Sequence, residues 1–191
     1  SRVNVRRPES RPMLAIAQLP QQRAALERFI AERFHAAHGA RVQHFCAQLL
    51  GMRDALGLWQ AAAGYTAATS GPLFLEQYLD RPVEELLARA AGSPVARAEI
   101  AEVGNLAAAP GLGRLLIPAL GRHLYRLGYR WVAFTATREL RNAFRRLQLE
   151  PLQLAAALPA RLADGGVSWG RYYSHDPAVM GGRIVTCLQR R

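Results

Sequence analysis

The chain has 191 residues, half of them apolar, which excludes wholesale disorder and fits one domain with a sizeable core. Its formal net charge is +11 and all 25 basic residues are arginine, so the expected partner is anionic: nucleic acid, an anionic membrane, an acidic carrier protein or a phosphorylated cofactor. Cys46 and Cys187 have no metal spacing and read as buried reduced thiols, no metal is expected, and no uncharged apolar run reaches the length of a membrane span.

Residues 1–12, "SRVNVRRPESRP", read as a basic flexible tail, and 13–191 as a single domain. Leu26, Phe29, Ile30, Phe34 and Ala37 fall at helical spacing over Gln21–Ala37, and Gly39 ends that helix. "RVQHFCAQLLGM" and "LGLWQAAAGYTAA" read as an antiparallel strand pair over Arg41–Thr69, with a turn at Asp54. Gly64 within it points to a bulge or a close backbone approach. "GPLFLEQYLDRPVEELLARAAG" reads as broken helix, with Asp80 capping its second half, Pro82 in the first turn, and Gly92 and Pro94 as the stop.

"ARAEIAEVGNLAA" is the next strand. A helix follows whose apolar face runs from Leu112 to Leu127, with a kink expected at Pro118. "YRWVAFTAT" is too continuously apolar for an edge and reads as a central strand. "RELRNAFRRLQ" is a helix burying Leu140, Phe144 and Leu147, and a short strand and an ordered loop lead to a last strand within "WGRYYSHDPAVMGGRIVTCLQ". The order implies an α/β fold with a mixed sheet: a hairpin, then βαβ crossovers.

The stretch "EVGNLAAAPGLG" carries the chemistry. A strand bearing a carboxylate runs into a turn where Gly111 and Gly113 let backbone N–H groups approach an anion at the start of a helix. Leu116 replaces the third glycine of a dinucleotide fingerprint, and Walker A is absent because the chain has no lysine. The order of elements and this turn resemble the GNAT acyltransferases. That resemblance implies that Leu106, Ala107, Ala108, Gly111, Leu112, Gly113 and Arg114 bind the phosphopantetheine or pyrophosphate of an acyl donor. It also implies that Glu102 takes a proton from an amine. The family's first polar turn residue would fall at Ala108 and its thiolate-protonating tyrosine at Phe144, so both are missing.

"PLFLEQYLDRPVEE", "AEVGNLAA", "WVAFTATRELRNAFRRL" and "WGRYYSHDPAVMGG" resemble the bacterial thermostable hemolysin family over about Phe29 to Gly182. The resemblance implies a GNAT-like mixed central β-sheet flanked by helices, related to acyl-homoserine-lactone synthases. In those synthases a Glu stands two residues before Ser-Arg, where this chain has Glu102 before Gly104 and Asn105.

A carboxylate in an apolar strand must find a partner or raise its pKa, and a raised pKa suits a general base, so Glu102 leads the candidates. Tyr172 and Tyr173 are candidate acids for the departing thiolate. Asn105, Trp169 and His175 are candidate substrate contacts, with Asp176 beside His175 resembling half a relay. Arg138, Arg141, Arg145, Arg146, Arg114 and Arg122 form basic helix faces for phosphates or an acidic acyl-carrier protein. Nucleic acid is disfavoured, for lack of interleaved aromatics.

Three readings stand. The first is an N-acyltransferase using acyl-CoA or acyl-carrier protein and a small amine. The second is a membrane-active lytic protein drawn to anionic bilayers, and the third is a degenerate GNAT fold that only binds. The expected location is cytoplasmic, with membrane association open.

Overall fold

The computed structural model describes residues 12–184, so nearly all of the expected basic tail, and Cys187, lie outside the described residues. Its elements are β1 (Leu14–Ile16), α1 (Pro20–His38), β2 (Gln48–Arg53), β3 (Trp59–Ala67), α2 (Val83–Ala91), β4 (Ile100–Ala108), α3 (Gly113–Arg126), β5 (Trp131–Ala136), α4 (Arg138–Arg146), β6 (Leu152–Ala156) and β7 (Ala178–Arg183). They build one seven-stranded sheet in the order β1-β2-β3-β4-β5-β7-β6. The mixed α/β class expected from the sequence is the class found. Only β4–β5 pair in parallel, so there is one βαβ crossover where several were expected. β7 inserts antiparallel between β5 and β6.

Period-two alternation sends the strands' side chains to two layers. Ala62, Ala107, Ile100 and Ala133 pack toward α1, α2 and the 3-10 turn Phe74–Tyr78. Ala61, Ala63, Ala101, Phe134 and Ala136 pack toward α3 and α4. Gly39 and Gly92 end α1 and α2 in the left-handed conformation, as their positions led one to expect. Pro118 lies inside α3.

Three local expectations need correction. The first strand of the hairpin begins at Gln48 and not at Arg41, because the preceding segment is held by side chains and not by a ladder. Asn105 Oδ1 accepts from Cys46 N at 2.8 Å, Thr66 Oγ1 accepts from Ala47 N at 3.0 Å, and Arg23 donates to the carbonyls of Cys46 and Ala47. Second, Asp80 does not cap α2. Pro82 holds the N-cap position, Glu76 accepts from Val83 N, and Asp80 pairs with Arg161. Third, the strand expected from Ala96 opens as a 3-10 turn over Arg97–Glu99 before β4 begins.

The bulge anticipated at Gly64 is present in the β3–β4 pair. Ala62 pairs with Ala107 and Gly64 with Gly104, so β4 carries the extra residue. Asn105 absorbs it with φ of 52°, a left-handed conformation that asparagine tolerates. The close approach is real as well: a Cβ on Gly64 would lie 2.6 Å from Cys46 Cβ.

Candidate active site

β4 and β5 are hydrogen-bonded only from Ile100–Val103 to Trp131–Phe134. Past the bulge β4 bends away, and the edges of Gly104–Ala108 and Thr135–Ala136 no longer meet each other. This opens a V-shaped gap in the middle of the sheet. A cavity of about 390 Å³ occupies it and reaches both layers. On one side it is walled by Ile117, Leu120, Leu124, Leu140 and Phe144 of α3 and α4, and on the other by Phe34, Phe74, Trp169, Tyr172 and Glu102. The apolar stripe of α4 is only half-buried because it faces this opening rather than a closed core.

Glu102 lines the cavity and is the buried charged residue of the described core, 5% exposed. Its two oxygens accept from the first amides of the 3-10 turn, Phe74 N at 3.0 Å and Leu75 N at 2.8 Å. Burial pushes its pKa up to about 7, against the lowering effect of those two N–H donors. At neutral pH it therefore exchanges a proton readily. Cys46 also lines the cavity, but burial, followed by the nearby Glu102, pushes its thiol up to about 12, which disqualifies it as a thiolate nucleophile.

The loop after β6 completes the wall on the Glu102 side. Arg41 N donates to Ser168 O and Arg171 N to His38 O, tying the loop to the end of α1. Trp169 and Tyr172 thereby meet Phe34 and His38. Tyr172 is buried beside the cavity, and burial raises its phenol above the usual range. Tyr173 does not line the cavity itself. Its hydroxyl is hydrogen-bonded to that of Tyr78, which does. His175 Nδ1 lies 3.1 Å from Glu139 Oε1 rather than working with Asp176, and Asp176 pairs with Arg141 at 3.0 Å. The suspected His175–Asp176 relay is therefore replaced by His175–Glu139. The Asn105 carboxamide is engaged with the backbone of His44 and Cys46.

At the other end of the gap, the turn from β4 to α3 is open. Gly111 has φ of 82°, and nothing lies within 4 Å of a Cβ placed on Gly111 or Gly113. The N–H groups of Gly111, Gly113 and Arg114 have no acceptor among the described residues. Of the turn candidates, Leu106 reaches the cavity, while Ala107 packs on α1 and Ala108 pairs with β3. Arg141 is not part of a free basic face. It bonds Ala136 O and Asp176 O, whereas Arg114, Arg122, Arg138, Arg145 and Arg146 are exposed.

Sequence reasoning missed Phe34, His38, His44, Phe74 and Tyr78 as cavity residues. One signal was available: a carboxylate in an apolar strand needs donors, and the helix start at "GPLF" supplies free amides.

A mixed sheet that splays after a bulge in its fourth strand, with the gap feeding a helix N-terminus, is the GNAT fold. Solved structures bear this out. The N-acyl amino acid synthase FeeM from uncultured soil microbes superposes with a TM-score of 0.64 at 14% identity, covering 94% of each chain. The acyl-homoserine-lactone synthase LasI gives 0.63 at 13% identity, covering 92% of this chain and 91% of its own. The GNAT-family N-acetyltransferase YhbS from Escherichia coli, solved with CoA, gives 0.50 at 15% identity, with 96% of this chain and 88% of that one covered. No curated protein matches the sequence significantly. The model of the thermostable hemolysin family matches residues 16–188, and the chain belongs to that family.

Proposed function

We propose that this protein is an N-acyltransferase that moves an acyl group from a pantetheine thioester, on acyl-carrier protein or coenzyme A, to an amine. The observation that carries the reading is the gap between β4 and β5, with Glu102 on its wall. The thioester arm runs along the open edge of Gly104–Ala108. Its anionic end meets the free N–H groups at Gly111, Gly113 and Arg114. The acyl chain lies against the apolar faces of α3 and α4.

The amine approaches from the Glu102 side. Its nitrogen forms the new bond to the thioester carbonyl carbon, and Glu102 accepts the nitrogen's proton, directly or through one water. Main-chain donors on the open β4 edge stabilise the oxyanion. As the tetrahedral adduct collapses the C–S bond breaks. Tyr172, and Tyr173 through Tyr78, stay protonated and donate hydrogen bonds to the departing thiolate, which takes its proton from solvent. The missing polar turn residue at Ala108 weakens a nucleotide pyrophosphate site. The exposed arginines of α3 and α4 favour an acidic carrier protein as donor.

Thiol release and amide formation, measured with acyl-carrier protein and acyl-CoA across a panel of amines, test the reading. Amine-dependent thiol release is expected, faster with the carrier protein. If no donor binds and no amide forms, the reading fails. The lytic reading predicts leakage of dye-loaded anionic vesicles by the protein alone, and the transferase reading predicts none without donor. No described helix is long and apolar enough to cross a membrane.

A further inference from the structure

The cavity wall around Glu102 is a connected belt of rings. Phe34 lies 6.0 Å from His38, His38 5.3 Å from Tyr172, Tyr172 5.2 Å from Trp169, and Trp169 6.0 Å from Phe34, which closes a circuit. From Trp169 the belt continues to Phe74 at 6.0 Å, and from Phe74 to His44 at 5.0 Å and Tyr78 at 6.3 Å. All seven rings line the cavity.

The charged side chains on the lining are Glu102 and Glu139. The chain has 25 arginines, yet none of the described ones lines this cavity. Burial lowers the pKa of both His38 and His44, which keeps the imidazoles neutral at physiological pH. Glu139 is exposed and paired with His175, so Glu102 is the buried charge of the lining, a carboxylate inside a protein whose overall charge is strongly positive. Aromatic faces and carboxylates together favour a cation. A carboxylate brought beside buried Glu102 would lose its water and meet like charge. His38 Nδ1 is buried and has no hydrogen-bond partner among the described residues.

We infer that the acceptor is a primary amine on an aromatic or alkyl skeleton without a carboxylate, seated as its ammonium ion in this ring belt against Glu102. The inference rests on the acyltransferase reading and narrows it, separating the acceptor from α-amino acids. The bound ammonium first loses one proton to Glu102, which passes it to solvent, and the ionised Glu102 then takes the second proton as the nitrogen attacks the thioester.

Phenethylamine and phenylalanine share one skeleton and differ by the carboxylate, so they isolate the claim. Their binding is measured by calorimetry on the donor-free protein, and their acylation by amide formation with acyl-carrier protein. Phenethylamine is expected to bind and react at least about 100-fold better than phenylalanine. In Trp169→Ala, with its melting temperature checked, affinity for phenethylamine is expected to fall about tenfold or more. Equal or better use of phenylalanine overturns the inference while leaving an acyltransferase standing. Selective binding of phenethylamine without any acylation supports the seat and counts against the transferase reading. Failure of phenethylamine to bind, or full affinity in the Trp169 variant, overturns the inference.

Discussion

Glu102 is the residue on which the chemistry turns. It is buried, it is held by Phe74 N and Leu75 N, and its pKa of about 7 sits where a base can be both ionised and reprotonated. A base must be ionised to act, so the rate of acyl transfer is expected to rise with pH through about 7 and then level. Glu102→Gln should lower kcat about 100-fold or more and abolish that limb, measured as a pH–rate profile. The same group leaves a mark on stability. Its folded pKa exceeds the ordinary 4.5, so the folded chain holds this proton more tightly than the unfolded chain. Stability on its account is greatest below pH 4.5 and declines as pH rises toward 7. Glu102→Gln should flatten that part of a melting-temperature profile. The sequence pointed to this residue because a lone carboxylate among apolar strand neighbours demands an explanation. It did not reveal His38 and His44, since a histidine's role here depends on which rings the fold stacks against it.

At the scale of elements, the 3-10 turn Phe74–Tyr78 is the part that aims Glu102, and Arg97 holds that turn. Arg97 donates to Glu76 at 2.6 Å, to Glu84 at 2.8 Å and to the carbonyls of Ala68 and Gly71. Glu76 in turn accepts from Leu73 N, just before the turn, and from Val83 N, at the start of α2. Burial alone would raise the Glu76 pKa. The hydrogen bonds from Arg97, Leu73 and Val83 overcome it and hold the carboxyl at about 2. A depressed carboxylate contributes stability above its ordinary 4.5 that is lost as pH falls toward 2, a window separate from that of Glu102. Arg97→Met is expected to destabilise the fold by about 2 kcal/mol at pH 7, measured by urea unfolding, and to blunt the acid transition. These bonds are long-range and leave no sequence signature. Element identities were legible because periodicity, Gly39 and Gly92 mark them locally. The segment before Gln48 was not, since an apolar run near Cys46 looks like strand whether its amides meet a neighbouring strand or the side chains of Asn105 and Thr66.

For the molecule as a whole, charge is divided by location. Arg114, Arg122, Arg138, Arg145 and Arg146 on α3 and α4 face outward, while the cavity presents the buried Glu102, so an anionic donor and a cationic acceptor are drawn to different places. The net charge of +11 announced the first preference and hid the second, because composition averages over surface and interior. The mixed sheet could be read from the order of elements. The gap in it could not, because it arises where one extra residue at Asn105 turns β4 away from β5. That gap makes amide hydrogen exchange the most direct test, run with and without a non-reactive thioether analogue of acyl-pantetheine. Slowed exchange confined to Gly104–Ala108 and Gly111–Arg114, with the outer strands unchanged, is the predicted result. Unaltered exchange at those amides with saturating analogue, or protection centred elsewhere on the sheet, would contradict the account.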